Sequence, residues 1–371
     1  MREGRLKRAG LVATNSMRGG ASRRVLAAIV TEGKVFDAWD DERWVVKGVA
    51  VRVSLICFAK EFAEEVRVDG RVVQQINSDL TGATIDITAA KPLEENQHTS
   101  FQGVTKGGAF GVDGVLARQW LEAPVNPNGR YNSDVLRPTV SGGNLQKRLI
   151  DKWVIDFGML AEREAALYAA PFGFVTQFVW PERIHNRREL YKRYWWRFAE
   201  RRPGMWTNLN NLSRYIATPK VSRHRFFLYL DRSIVPDNLV IVITRDDDTT
   251  FGILSSRIHR AWCLAKGAWC GVGNDPTYTP TSTFETYPFP EGLTPNVPAA
   301  EYADDPRAVA IAEAARCLNG LRGMWLNPPD LVERVPEVVP GYPDRIVPVS
   351  PKAATILKKR TLTNLYNERP A

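Results

Sequence analysis

The sequence predicts a mixed α/β chain. An α/β region spans 1–75, an α+β region spans about 76–295, and a helical tail spans 296–371. Three observations predict this. The first 75 residues alternate strand-like apolar runs with one helix-periodic run. The middle interleaves amphipathic and β-branched stretches with Gly-, Pro- and Asn-rich linkers. After an extended Pro-rich exit at 276–290, the recognisable signals are helix starts. At 371 residues, 44% hydrophobic and 25% charged, the chain has the composition of two or three ordinary globular domains. No apolar run approaches the roughly 18–20 residues of a membrane span. The apolar part of the basic N-terminus, LVA, is too short for a signal peptide. Together these predict a cytoplasmic protein with no membrane partner.

In chain order, Ala9–Thr14 reads as a short buried strand and Ala21–Thr31 as a helix with Val25, Leu26 and Ile29 on one face. Two strands follow at Lys34–Asp40 and Val51–Lys60, the second continuous enough to be central in a sheet. Val66–Ser78 carries an Asp69-Gly70 turn between Val-rich arms, a hairpin signal. Residues 79–140 read as loops with short elements. Trp153–Phe157 is a strand, and Ala161–Phe178 and Glu182–Arg201 are helices. On the latter, Ile184, Tyr191, Tyr194, Trp195 and Phe198 fall on one stripe. Arg225–Leu230 and Leu239–Thr244 are strands and Ile253–Lys266 a helix. A helix starts at Pro306 with Asp305 as its cap and Gly320 after it, and another starts at Ser350-Pro351.

Cys57, Cys263, Cys270 and Cys317 form no CxxC pair, and His98, His185, His224 and His259 form no HExxH, so the spacing predicts neither a zinc site nor a disulfide framework. Charge says more. The net charge is +9, and the window Pro181–Arg232 holds 13 Lys/Arg against 4 Asp/Glu, a local excess of 13 − 4 = 9. The whole imbalance sits there, which points to a polyanionic partner.

Several segments carry a resemblance. They are LKRAGLVATNSMRGGASRRVL and VFDAWDDERWVVKGVAVRVSLICF near the start, then YNSDVLRPTVSGG, LSRYIATPKVSRHRFF, GVGNDPTYTPTSTFETYPFP and LNPPDLVERVPEVVPGYPDRIVP. In this order they are similar to the downstream part of the MmeI-like type IIG/IIL restriction–modification DNA adenine-N6 methyltransferases, nearly end to end. The resemblance implies that 1–75 is the C-terminal half of a Rossmann-like S-adenosylmethionine-dependent sheet, and that 76–295 is a DNA target recognition domain. The partner it implies is double-stranded DNA. In that family the Gly-rich cofactor turn and the Asn-Pro-Pro-aromatic motif lie upstream of a segment like AGLVATNS, which here follows eight residues. The expectation is therefore a fragment that alone binds no cofactor, although the intact enzyme uses S-adenosylmethionine. A separately encoded N-terminal half, a stand-alone specificity subunit and a truncated product remain open.

Some motifs imitate chemistry. Asn327-Pro328-Pro329-Asp330 copies the catalytic tetrapeptide, but Asp330 cannot stack on a flipped base, so a turn is expected. Asp156-Phe157-Gly158 lacks the companions of a kinase metal triplet and reads as a strand end. Gly107-Gly108 and Gly271/Gly273 read as loops, and Asp246-Asp247-Asp248 as a solvated turn.

The residues assigned to DNA form three sets. Arg188, Lys192, Arg193 and Arg197, on the expected helix 182–201, are phosphate candidates; Arg188, Lys192 and Trp196 would share a face. In Ser213–Arg225, a crowded Pro-containing loop, Arg214, Lys220, Ser222, Arg223, His224 and Arg225 are candidates for reading base edges, with Asn274–Thr283 next in line. Phosphate-only contact is the alternative. By resemblance, Asn15 and Ser16 would border the target-base pocket, at the strand ends where open α/β sheets bind ligands.

Overall fold

The computed structural model describes residues 7–14, 17, 23–46, 49–61, 65–82, 87, 90–148, 151–270 and 275–368. By contacts the chain divides into two units. The first gathers 1–93, 221–223 and 257–287; the second gathers 94–220, 224–256 and 288–371.

The first unit begins with β1 (Arg8–Thr14), α1 (Arg23–Glu32), β2 (Lys34–Val46), β3 (Val49–Ala59), β4 (Val66–Val68) and β5 (Arg71–Val73). They form one sheet in the order β1-β3-β2-β4-β5. β3 runs antiparallel to both neighbours, and β2 pairs with β4 in parallel. The apolar run in β3 does take the interior position, with Val53, Ile56 and Ala59 buried. Asp69 and Gly70 both adopt positive φ (48° and 76°), the geometry of a two-residue hairpin turn. Leu26, Val35, Ala38, Ile56, Val66 and Leu80 form the core. Two sequence expectations fail here. β1 is not buried: it lies at the sheet edge, alternating exposed and half-buried residues, with Val12 54% exposed. Val25 faces solvent, and the packed stripe of α1 is Leu26, Ile29 and Val30.

The second unit holds β6 (Ser100–Gln102), β7 (Gly111–Asp113), α2 (Gly114–Leu121), β8 (Leu136–Val140), β9 (Lys152–Ile155), α3 (Glu162–Ala165), α4 (Ala169–Phe178), α5 (Trp180–Arg183), α6 (Glu189–Arg193) and α7 (Pro203–Leu209). It continues with β10 (Arg214–Pro219), β11 (Leu228–Asp231), β12 (Val235–Pro236), β13 (Val240–Ile243) and α8 (Asp248–Ser255). Two four-stranded sheets result, β11-β10-β13-β6 and β12-β8-β9-β7. The linker expected over 79–140 thus supplies three strands and a helix. Its three-residue strands are too short to show alternation, while α2 is started by Asp113, whose carboxylate accepts from the Leu116 N–H at 2.9 Å.

α9 (Arg257–Lys266), β14 (Trp269–Cys270) and β15 (Asp275–Pro276) belong to the first unit. The single helix expected over 253–266 is broken at Ser256, whose extended backbone (ψ 159°) separates α8 from α9. In the second unit, α10 (Pro306–Leu326) starts as expected, capped by Asp305, but runs through Gly320 to end at Asn327. The tail is not purely helical: β16 (Val332–Val335) and β17 (Arg345–Pro348) pair before α11 (Pro351–Lys359) and α12 (Leu362–Asn367). It shares the core of this unit. The Tyr342 hydroxyl donates to Leu136 O at 2.8 Å, Arg322 to Phe227 O at 2.8 Å, and the Leu362 N–H to Gln146 O at 2.8 Å. Among the described residues, no helix is long and apolar enough to cross a membrane, and no His/Cys/Asp/Glu group could hold a metal ion.

Candidate nucleic-acid interface

The basic window does not fold as one helix. α5 opens with Pro181 in its first turn and ends at Arg183. The Asn186 carboxamide then accepts from the Arg188 N–H at 2.9 Å, a local bond that competes with helix continuation. α6 lasts five residues and stops at Tyr194 (φ −118°, ψ 47°). A tertiary contact fixes the break. The Arg183 side chain is buried, and its guanidinium donates to Gly107 O and Lys106 O, each at 2.9 Å, and to Arg197 O at 3.3 Å. Phe110 and Tyr191 lie against it, their ring centroids 5.8 and 4.9 Å away. Burial lowers its pKa, with Tyr191 and the Glu182 charge opposing the shift. Gly107 makes room for this staple: φ is +66°, and a Cβ there would lie 2.8 Å from Ala199 Cβ and 3.2 Å from Arg183 Nη2. Gly107 therefore serves packing.

This geometry sorts the phosphate set. Arg188, Lys192 and Arg193 stay together on and beside α6, but they do not share the long helical face expected from sequence, and Trp196 is buried. Arg188 donates to the Tyr191 hydroxyl at 2.7 Å; Lys192 faces Glu189 at 3.6 Å; Arg193 lies over the Tyr194 ring. Arg197 is separate: it donates to Leu160 O at 3.1 and 2.7 Å and to Met159 O at 3.0 Å. Arg187, which the sequence sets left out, is exposed in the turn before α6. Its position after a helix-breaking Asn was the available signal. Trp195, Trp196 and Phe198 are core residues.

Ser213–Arg225 is likewise not the loop expected. Its first part is β10, between β11 and β13, with Tyr215 to Thr218 fully buried. Arg214 begins this strand, stacked 3.7 Å from the Tyr229 ring centroid and bonded to Asp246 O and Asp248. Burial and the bond to Asp248 push the Tyr229 hydroxyl pKa up. Asp247 caps α8 through the Thr250 N–H at 2.7 Å and pairs with Arg245 at 2.9 Å. The triple-Asp segment is thus a partnered helix start, which corrects the solvated-turn reading. Arg225 donates to Thr218 Oγ1 at 2.9 Å and to Pro219 O, and His224 meets Asn367 Oδ1 at 2.7 Å. Lys220 is half-buried, its N–H completing the ladder to Leu239 O.

Ser222 and Arg223 belong to the first unit. There Val221 bridges Thr277, and the Ser222 N–H donates to Pro276 O. Arg223 is exposed beside that rung. The reserve segment Asn274–Thr283 therefore adjoins the preferred one, a pairing across some fifty residues that no local pattern signals; Asn274 itself, with Gly271 and Gly273, lies outside the described residues. So do Asn15 and Ser16. Asn327 caps the C-terminus of α10 and Pro328 turns the chain, as expected. Gly158, at φ +62°, donates to Asp156 Oδ1 at 3.0 Å in the turn after β9.

No protein-family model matches the chain, and no curated protein matches it. Among solved structures it is similar to the type IIL restriction–modification enzyme MmeI, determined in complex with DNA, with a TM-score of 0.68 at 17% identity. The likeness covers 98% of this chain and 47% of that one, so the chain spans about half the length of its neighbour. What this shows is a shared mixed α/β fold with a restriction–modification protein.

Proposed function

We propose that this chain is the DNA-reading portion of a restriction–modification enzyme of site-specific adenine methylation. The observation that carries the reading is the fold likeness to MmeI along 98% of the chain. The exposed cations of 187–193 agree with it. In this reading Arg187, Arg188, Lys192 and Arg193 meet phosphates, while Lys220, Ser222 and Arg223 reach base edges. Arg197, Arg214, His224 and Arg225 hold the backbone that presents them. Asn15 and Ser16 border the target base, and recognition lies within 76–295. S-adenosylmethionine is the methyl donor of the intact enzyme, and no described residue of this chain is assigned to it.

The test is duplex binding by the full chain across a salt series. Four phosphate contacts from the α6 cluster alone contribute a slope of roughly −3 to −4 in log K against log salt. Affinity independent of salt would remove the reading.

A second reading, completion by a separately encoded upstream half, is favoured by one feature. β1 presents a sheet edge seven residues long with Val12 exposed, and such an edge is a template for another strand. Restored methylation on mixing the two halves would establish it.

A further inference from the structure

A cleft of about 700 Å³ opens within the second unit, walled in part by Arg137, Arg201, Arg232, Asp156, Trp206 and Tyr342. Two of these are occupied elsewhere: Arg232 donates to Asn210 O at 2.8 Å, and Tyr342 to Leu136 O. The two carboxylates at the rim are also engaged. Asp134 pairs with Arg130 at 3.2 Å, and Asp231 accepts from the Ser233 N–H at 2.8 Å. Arg201 makes no hydrogen bond among the described residues, and Arg137 keeps Nη1 outside its hydrogen bonds. Arg137 lies with its guanidinium 4.3 Å from the Trp206 ring centroid, and its hydrogen bonds go to neutral carbonyls, Ser233 O at 3.0 Å and Arg232 O at 2.7 Å. Burial lowers its pKa, and the nearby Asp156 charge offsets this only in part. Arg201 directs Nε at Asp156 Oδ1 from 3.7 Å, too far for a hydrogen bond, and that nitrogen is buried with no hydrogen-bond partner among the described residues. Asp156 Oδ1 already accepts from the Gly158 N–H.

Among the lining groups the charges of Arg232 and Asp231 cancel in number and Asp134 is paired with Arg130, which leaves the two guanidinium groups of Arg137 and Arg201 with one carboxylate, Asp156. A cation withdrawn from water without a contacting anion is costly, and an anion at this point repays that cost. The Arg201 guanidinium together with the remaining Nη1 of Arg137 suits a phosphate, whose free oxygens outnumber those of a carboxylate. The volume exceeds what a phosphate fills and falls in the range of small-ligand pockets, about 300–1,000 Å³. Trp206 supplies an aromatic wall.

We propose that this cleft binds a nucleotide-sized ligand, with Arg201 and Arg137 holding its phosphate and the base packed against the Trp206 wall. The phosphate comes either from a free 5′-nucleotide or from a nucleotide of DNA. The reading stands independently of duplex binding by the α6 cluster.

Isothermal titration of the full chain with deoxyadenosine 5′-monophosphate, deoxyadenosine and inorganic phosphate tests it. The monophosphate is expected to bind at least about tenfold more tightly than either of the other two, and Arg201→Gln to weaken it by roughly ten- to a hundredfold, as loss of a charged hydrogen bond does. Arg201→Lys, which keeps the charge and loses the fork, should fall between. The absence of binding heat at millimolar monophosphate overturns the proposal. So does undiminished binding in Arg201→Gln, or in Trp206→Leu, when circular dichroism is native. Equal affinity for inorganic phosphate overturns the nucleotide-sized part. Competition separates the sources: displacement of the monophosphate by a short duplex assigns the site to DNA, and simultaneous binding of both assigns it to a free nucleotide.

Discussion

The segments 183–202 and 214–225 are both rich in arginine, with seven and three, and fold in opposite ways. In the first, one buried arginine organises a set of short turns, and the cations around α6 are left facing solvent. In the second, a buried strand organises the chain, and Arg214 and Arg225 are drawn inward onto Tyr229, Asp248, Thr218 and Pro219 O while Arg223 stays exposed. The difference teaches that a local excess of basic residues counts side chains, while affinity for a polyanion depends on those whose donors are not already bonded within the fold. Arg183, Arg197, Arg214 and Arg225 all enter the count of 13 and are all bonded internally.

The comparison breaks most sharply at Arg183. Arg183→Met removes the side-chain donor to the carbonyls of Gly107 and Arg197 and one of two donors to that of Lys106, at about 1–3 kcal/mol for each group left unsatisfied, and it loses the buried packing as well, so a total loss of roughly 3–5 kcal/mol is expected. Urea denaturation measures it, and a loss below about 1 kcal/mol would show that the turns of 183–202 stand without their staple.

Replacing Arg187, Arg188, Lys192 and Arg193 together by Ala probes the opposite property. Stability should change little, by about 0.5 kcal/mol or less per site, while the salt slope of duplex binding falls by about 1 per lost phosphate contact. Filter binding at several salt concentrations reads this. An unaltered slope would move the phosphate contacts off α6.

Gly107→Ala sharpens the same division. A methyl group there meets Ala199 Cβ at 2.8 Å on a left-handed backbone, so a cost of about 1–3 kcal/mol is expected, with the DNA salt slope unchanged in the folded fraction. Thermal melts combined with the same binding series check both halves. A changed slope at native stability would return Gly107 to the interface.

The finest distinction lies within 223–225. Arg223→Ala should relax preference at one base position, worth about 1–3 kcal/mol of discrimination. Arg225→Ala, by contrast, should weaken the fold and leave the sequence logo intact. Selection on randomised duplexes separates them; identical logos for wild type and Arg223→Ala would remove that residue from base reading.

Neighbours along the chain set one class of feature. The Asp69-Gly70 hairpin, the apolar strand β3 at the interior of its sheet, the Asp305-Pro306 start of α10 and the Ser350 cap of α11 were all legible, because turn chemistry and capping act over a few residues. Of the expected stripe, Trp195 and Phe198 are core while Ile184, Tyr191 and Tyr194 are half-buried, and the helix expected to carry it is broken. Other features are set by packing between distant parts of the chain. Nothing local marks Arg183 as the buried guanidinium among thirteen cations, since the carbonyls it holds include those of residues 106 and 107. Nor does the text of Ser213–Arg225 reveal that β10 lies between β11 and β13, because strand pairing is set by partners far along the chain. The tail read as helical contains the β16–β17 pair and completes the second unit's core for the same reason. Charge and pattern are properties of the residue list, whereas burial and hydrogen-bond partners belong to the packed chain.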